Sequence, residues 1–374
     1  MAKKKKIRAA FRKNRQAKPR QGDWTQRFSA GNEAVDDTIH EERVSGKGET
    51  VRRRTIIAES AGDAGESPRL EIDESICRPG RVLAVHGLSC TVEDADGREV
   101  QCATRRLLKT LSTDQRHVVA AGDRVMFRTV ASGEGVIERV EPRRTVLARS
   151  SKGRQHVVVA NVDQVVIVGS AAEPHLKPHL IDRFLVSAHH SNLWPIVCIN
   201  KVDLVEPASL MPTAGVYAQM GYPVVLASAR SGIGIERLRR LLAGRVSVLA
   251  GQSGVGKSSL LNAVDPVLNV RIGAISRETE KGRHTTTTAR LYPLHAGGHI
   301  VDTPGIRQLE LWDVIPAEVA GYFRDLRPYL SRCRFPNCTH THEEFCAVKD
   351  AVADGRLDVR RFESYCQLFL GDAA

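Results

Sequence analysis

Short runs of alternating apolar and polar residues fill the segment 79–149. Arg81-Val-Leu-Ala-Val-His86, Ser89-Cys-Thr-Val-Glu93, Arg98-Glu-Val-Gln-Cys102, Asp123-Arg-Val-Met-Phe-Arg128 and Gly135-Val-Ile-Glu-Arg-Val140 follow one another, with Asp96-Gly97 as a turn signal. Five short strands in so few residues predict a small closed barrel such as an OB-fold. The texture then changes. Between 155 and 315 the apolar runs become continuous: Asp163–Val168, Pro195–Ile199, Pro223–Ala227, Arg245–Ala250 and Gly298–Asp302, with Arg290–Leu294 beside the last. Amphipathic stretches at 178–191, 207–220, 234–243 and 257–265 separate them. That alternation predicts an α/β domain, a parallel sheet with helices on both faces. Residues 316–374 read as helices around a Cys/His cluster. Residues 1–75 show no steady period and are predicted to form a disordered extension.

Charge sharpens this division. The chain has 374 residues and a formal charge of +12, and its first twenty residues hold ten Lys or Arg and no acid. Such a run reads as a phosphate-seeking arm or a solubilising tail. No apolar segment approaches the length of a membrane helix, and none follows the basic start as in a secretory signal. Eight cysteines do not suggest a disulfide scaffold at this length, so the expected compartment is the cytoplasm. The barrel is read either as a nucleic-acid-binding module or as a spacer.

The α/β segment carries a set of guanine-nucleotide motifs in an unusual order. Gly251-Gln252-Ser253-Gly254-Val255-Gly256-Lys257-Ser258, followed by Ser259, has the spacing of a phosphate-binding loop between an apolar strand and a helix. Backbone N–H groups and the helix N-terminus suit phosphate, Lys257 would reach the β- and γ-phosphates, and Ser258 would ligate Mg²⁺. Asn200-Lys201-Val202-Asp203 follows another strand. Asp203 can accept from guanine N1–H and its exocyclic amine, and adenine offers no such pair. The Lys201 stem can lie along the purine, and the Ala229 N–H in Ser228-Ala229-Arg230 can donate to guanine O6. Asp302-Thr303-Pro304-Gly305 supplies a carboxylate for water-mediated Mg²⁺ binding and an N–H at Gly305 for the γ-phosphate. Gly282-Arg283-His284 and the threonines Thr285 to Thr288 form a first switch, with Thr286 favoured over Thr285 as Mg²⁺ ligand. Ile306 stands where a water-orienting glutamine would be expected, and it cannot hydrogen-bond water. His284 is the candidate replacement, with a partner-contacting role as its rival. Lys257, His284 and Thr286 make up the candidate catalytic set. The base-reading motifs precede the phosphate loop, so the nucleotide domain is expected to be circularly permuted.

Cys333, Cys338, His340, His342 and Cys346 lie within fourteen residues. Three thiols and an imidazole suit tetrahedral Zn²⁺, with His340 preferred and His342 the alternate. Barrel, permuted nucleotide domain and Cys-x₄-Cys-x-His-x₅-Cys cluster together resemble the ribosome small-subunit-dependent GTPase A family, over about residues 79–370. The resemblance favours His340 and marks His284 as the proposed catalytic group. It implies GTP hydrolysis to GDP and phosphate, stimulated by the small (30S) ribosomal subunit through its 16S rRNA, as a late checkpoint in maturation of that subunit. The chain is expected to work as a monomer without a membrane, using Mg²⁺ with GTP and one structural Zn²⁺. Two other readings stay open at this point: an RNA-binding assembly factor with a structural nucleotide, and a GTPase acting on non-ribosomal RNA.

Overall fold

The computed structural model describes residues 4–11, 52–59, 69–70, 72–87, 89–105, 119–151, 154–268, 289–302 and 315–371. They form two compact units. One contains Met1–Arg144 with Gly153–Ala160, and the other Thr145–Lys152 with Asn161–Ala374.

In the first unit, β4 (Arg78–His86), β5 (Ser89–Asp94), β6 (Glu99–Thr104), β7 (Arg124–Ala131) and β8 (Glu134–Val140) follow the predicted runs within a few residues. Their order is β4-β5-β6-β8-β7, closed by an antiparallel β4–β7 pairing, with β6 and β8 parallel. This is the closed five-stranded OB arrangement. Period-two alternation turns Val82, Val92, Val125, Phe127 and Ile137 inward as its core. Arg143 grips the fully buried Asp123 with Nε and Nη2 at 2.7 and 2.8 Å, and Asp123 also accepts from the Ala120 N–H at 2.8 Å. The buried carboxylate is thus paired and hydrogen-bonded.

Before residue 72 the described segments are strands. β1 (Lys4–Phe11), β2 (Arg52–Glu59) and β3 (Arg69–Leu70) pair antiparallel, with Lys4 opposite Glu59 and Phe11 opposite Arg52. Thr55-Ile56-Ile57 is a β-branched run that favours strand, a local signal that the surrounding polar composition obscured. β10 (Arg154–Ala160) also belongs to this unit, where Val159 bridges Ala121.

The second unit begins with β9 (Val146–Ser151). Its sheet contains β11 (Gln164–Ser170), β12 (Trp194–Asn200), β13 (Val224–Leu226), β14 (Val246–Ala250), β15 (Arg290–Pro293) and β16 (His299–Asp302) in the order β13-β12-β11-β14-β16-β15. All pairs are parallel except β15–β16. Helices α1 (Pro178–His190), α2 (Pro207–Gln219), α3 (Ile235–Leu242) and α4 (Lys257–Val264) fall where the amphipathic stretches predict. Val166, Ile196, Val225, Leu238, Leu260 and Ile300 build one core of this unit. Near the C-terminus, α5 (Val319–Tyr322), α6 (Arg327–Leu330), α7 (Ala347–Ala353) and α8 (Val359–Leu370) surround the Cys/His cluster. Phe323, Leu326, Val348 and Tyr365 share a second core with Val186 of α1. Arg361, 1% exposed, crosses between these elements: Nε and Nη2 donate to Asp325 at 2.9 Å each, and Nη1 lies 2.6 Å from the fully buried Asp182. Among the described residues no helix is long and apolar enough to cross a membrane.

Candidate nucleotide site and metal centre

Strand direction decides where a ligand can sit. From β11 the sheet runs one way through β12 and β13 and the other way through β14 and β16, so connections diverge between β11 and β14. Ligands of open α/β sheets bind at the carboxyl ends of the strands beside such a switch point. The Gly251–Ser258 loop leaves the carboxyl end of β14 at that place. A Cβ on Gly251, at φ +144°, would lie 2.3 Å from the Val168 carbonyl oxygen of β11, so only glycine lets the loop pass this closely. Gly256, at φ +88°, turns the chain into α4, and Lys257 is the first residue of that helix. Gln252, Ser253, Gly254, Ser258 and Ser259 are exposed, while Val255 is buried in the sheet core. Lys257 Nζ donates to the carbonyls of Gly251 and Gln252 at 2.7 and 2.8 Å, which holds its ammonium against the loop.

The base-reading motifs meet this loop through one side chain. Asn200 ends β12, 1% exposed. Its Nδ2 donates to the Val255 carbonyl at 2.9 Å, and its Oδ1 accepts the Ala229 N–H at 3.3 Å. A Cβ on Gly256 would lie 2.4 Å from the same Nδ2. Asn200 therefore joins three segments: phosphate loop, Asn-Lys-x-Asp turn and Ser-Ala turn. The Ala229 N–H expected at guanine O6 is the one that donates to Asn200 here. Lys201 takes the left-handed conformation at φ +61°, and its Nζ donates to the Glu173 carbonyl. Val202–Leu204 forms a single 3₁₀ turn that presents Asp203 on the surface. Ser228 is fully buried and its Oγ accepts the Ser231 N–H at 3.0 Å, which shapes the turn carrying Ala229. Asp302 closes β16, opposite Arg290, with its backbone at the same end of the sheet. His284, Thr285, Thr286 and Gly305 lie outside the described residues.

Cys333, Cys338, His340 and Cys346 converge, with their donor atoms all within 4.8 Å of one another, and could hold a metal ion. His340 is 5% exposed, whereas the alternate His342 has an 81% exposed side chain, 3.1 Å from the Thr341 hydroxyl and 4.0 Å from Glu343. Burial pushes the His340 imidazole below its ordinary range, favouring the neutral form a metal requires. Around the cluster, Glu343 accepts the Thr339 N–H and hydroxyl at 2.6 Å each and the Thr341 N–H at 3.1 Å. Desolvation opposes ionisation of Glu343, but the bonds from Thr339 outweigh it and hold the carboxyl at about 2. Tyr365 donates to the Thr339 carbonyl at 2.6 Å and packs near His340. These partners tie the cluster to α8, a role the spacing of the ligands alone did not reveal.

Comparison with known proteins decides the family. A protein named Small ribosomal subunit biogenesis GTPase RsgA from Sodalis glossinidius is 41% identical over 300 residues, covering 78% of this chain and 84% of that one. The chain belongs to the RsgA GTPase family. It is a GTPase by that membership, and the family's own model matches residues 140–312. A second RsgA, from Thermotoga petrophila, is 39% identical over 299 residues, covering 79% of this chain and 97% of the relative. Among solved structures, YjeQ from Thermotoga maritima aligns with a TM-score of 0.66 at 37% identity, covering 79% of this chain and 98% of its own. YloQ, described as a circularly permuted GTPase, aligns with a TM-score of 0.63 at 31% identity, covering 79% and 94%. The order of motifs along the RsgA scaffold is therefore permuted here too.

Proposed function

We propose that this RsgA-family protein hydrolyses GTP when it engages the small ribosomal subunit, binds that subunit's 16S rRNA, and acts as a late checkpoint in its assembly. The observation that carries the nucleotide part is Asn200, which fastens the base-reading turns to the phosphate loop so that both can address one guanine nucleotide. The function for which these relatives are named, small ribosomal subunit biogenesis, supports the partner. Asp203 and Lys201 read guanine, Ser228 and Ala229 complete the base pocket, and Gly251 to Ser259 cradle the phosphates. Lys257 moves from the loop carbonyls to the β- and γ-phosphates when nucleotide enters. Ser258, Asp302 and Thr286 would hold Mg²⁺, which neutralises phosphate charge. Gly305 senses the γ-phosphate and His284 orients the attacking water.

The metal centre is read as zinc. Tetrahedral Zn²⁺ with Zn–S of about 2.3 Å and Zn–N of about 2.0–2.1 Å places sulfurs about 3.8 Å apart and sulfur and nitrogen about 3.5 Å apart. Cys333 and Cys346 Sγ lie 3.9 Å apart, and His340 Nδ1 lies 3.4 and 3.5 Å from them. The ion would brace a short segment with little core of its own, and a Cys338→Ser protein would then lose its zinc. By role the chain divides into a basic extension (1–75), an RNA-binding barrel (79–149), the GTPase domain (155–315) and the zinc module (316–374). It works as a monomer in the cytoplasm, in keeping with eight free thiols.

The test is GTP turnover with small subunits, large subunits and bulk tRNA. Stimulation by small subunits alone supports the proposal; equal stimulation by tRNA points to another RNA, and no turnover with any of them leaves a structural nucleotide. His284→Ala should lower stimulated turnover at least about tenfold with GTP affinity unchanged within a few fold. Unaltered turnover removes His284 from the chemistry.

A further inference from the structure

The Cys/His module displays two large aromatic side chains that neither nucleotide nor metal binding explains. Phe345 is 64% exposed and Phe335 is 43% exposed. Leaving such a ring in water forgoes stabilisation of roughly 1.5–3 kcal/mol. The rings are not scattered. The Arg334 guanidinium lies 5.0 Å from the Phe345 ring centre and 5.8 Å from that of Phe335, and the Arg334 N–H donates to the Phe345 carbonyl at 3.4 Å. Phe345 holds φ +55°, a left-handed conformation seldom taken by a bulky residue. A strained backbone that keeps an aromatic ring outward is the kind of outlier found at binding sites. Beside Phe335 opens a cleft of about 490 Å³, lined also by Glu318, Tyr322, Leu330 and Pro336, with the metal-cluster residues Cys338 and His340 in its wall. Exposed Arg332, two residues before Arg334 in the chain, lies 6.0 Å from the Tyr329 ring centre.

We propose that this face binds an unpaired base of RNA. Every base has a π-face, and single-stranded RNA is gripped by aromatic rings and guanidinium planes on which bases stack. The Phe335–Arg334–Phe345 layer supplies both. The cleft admits a base, whose amino group can donate to Glu318, a carboxylate that already accepts the Tyr322 hydroxyl at 3.3 Å. Arg332 is placed for the adjoining phosphate. The cations that frame the rings favour a polyanionic strand, and Glu344 is the single exposed acid in the Cys333–Cys346 segment. The inference rests on the RNA-binding reading above and names where an unpaired base would dock.

The experiment titrates full-length protein, with metal content confirmed equal in every variant, into a short unstructured RNA and into a strand of the same length with abasic sites. Phe345→Ala should weaken binding to the intact strand at least about fivefold, without altering the salt slope, because no phosphate contact is removed. Phe345→Trp should restore it. Arg332→Gln should instead lower the slope by about 0.7. Binding of Phe345→Ala within about twofold of the parent, or equal affinity of the parent for abasic and intact strands, overturns the proposal. So does a Phe345→Ala protein that keeps RNA affinity but loses small subunits, since that outcome assigns the face to a protein. Should turnover of the parent fail to respond to small subunits while stacking persists, the ribosomal reading falls and the base site stands.

Discussion

Asn200 and Gly256 form a pair whose energetics can be worked from the structure. A methyl at Gly256 meets two penalties. Holding a non-glycine residue at φ +88° costs about 1–2 kcal/mol. The new Cβ, 2.4 Å from Asn200 Nδ2, also drives that side chain away from Val255 and Ala229. Losing those two bonds forfeits about 0.5–1.5 kcal/mol each, so Gly256→Ala should lower stability by about 2–5 kcal/mol. Asn200→Ala leaves the Val255 carbonyl and Ala229 N–H unpaired, at about 1–3 kcal/mol. In the double variant there is no Nδ2 to strike, and the bonds can be lost only once. The combined loss should then fall short of the sum of the single losses by about 1–3 kcal/mol. Urea unfolding of the four proteins measures this, and calorimetry with GTP measures its functional counterpart. If about 2 kcal/mol of the loss appears as reorganisation on binding, GTP affinity drops roughly 30-fold in Asn200→Ala. Additive stabilities within about 0.5 kcal/mol, or unchanged GTP affinity, would refute the claim that one amide holds both halves of the site.

Two further expectations concern the junction between α1 and the C-terminal helices. Arg361→Met leaves Asp182 and Asp325 without their cation, and Asp182, which also accepts the Tyr217 hydroxyl at 2.8 Å, is fully buried; urea unfolding should show a loss of about 3–5 kcal/mol, and a change below about 1 kcal/mol would remove the network from the fold's energetics. His189, hydrogen-bonded to Tyr222 at 2.8 Å, is pushed down to about 4 by desolvation and then by Arg324, Arg327 and Arg361. The unfolded chain, with an ordinary imidazole near 6.5, binds more protons between those values. Its contribution is complete above about 6.5 and is lost as pH falls towards about 4, so His189→Gln should flatten the stability–pH profile in that window, and an unchanged slope would show that another group sets it.

Local signals were legible and distant ones were not. The apolar runs located β11, β12, β14 and β16 within a residue or two, because strands buried on both faces need continuous apolar sequence. β9 and β10 escaped, since Ser150, Ser151, Lys152 and Arg154 at their junction look like linker. Motif spacing placed Lys257 at the start of a helix and Asn200 at the end of a strand, because those contexts define the motifs. The reach of Asn200 to Val255 and Ala229 spans 55 and 29 residues of chain and leaves no trace in local pattern. Arg361 was equally hidden: an arginine on an amphipathic helix looks like surface, and its burial depends on two carboxylates from elsewhere. His340 and His342 are two residues apart, and local pattern does not tell the buried one, packed near Tyr365, Cys333 and Cys346, from the exposed one.

The reversed order of motifs has a structural reason for being tolerated. Asn200, the Ser228 turn, Gly251 and Asp302 follow β12, β13, β14 and β16 or end them, and those strands are parallel, so all four segments emerge at one edge of the sheet. Which residues meet there depends on strand neighbours and direction, not on which strand the chain visits first. Changing the visiting order alters only the connections, which lie away from the ligand edge or run over the surface. What permutation does change is which segment follows β16. In this chain the stretch after Asp302 leads to the helices that carry Arg361 and the Cys/His cluster, and Arg361 returns to Asp182 on α1. The C-terminal module is thus joined to the nucleotide domain twice, by chain connection after β16 and by a buried ion pair to the helix that follows β11.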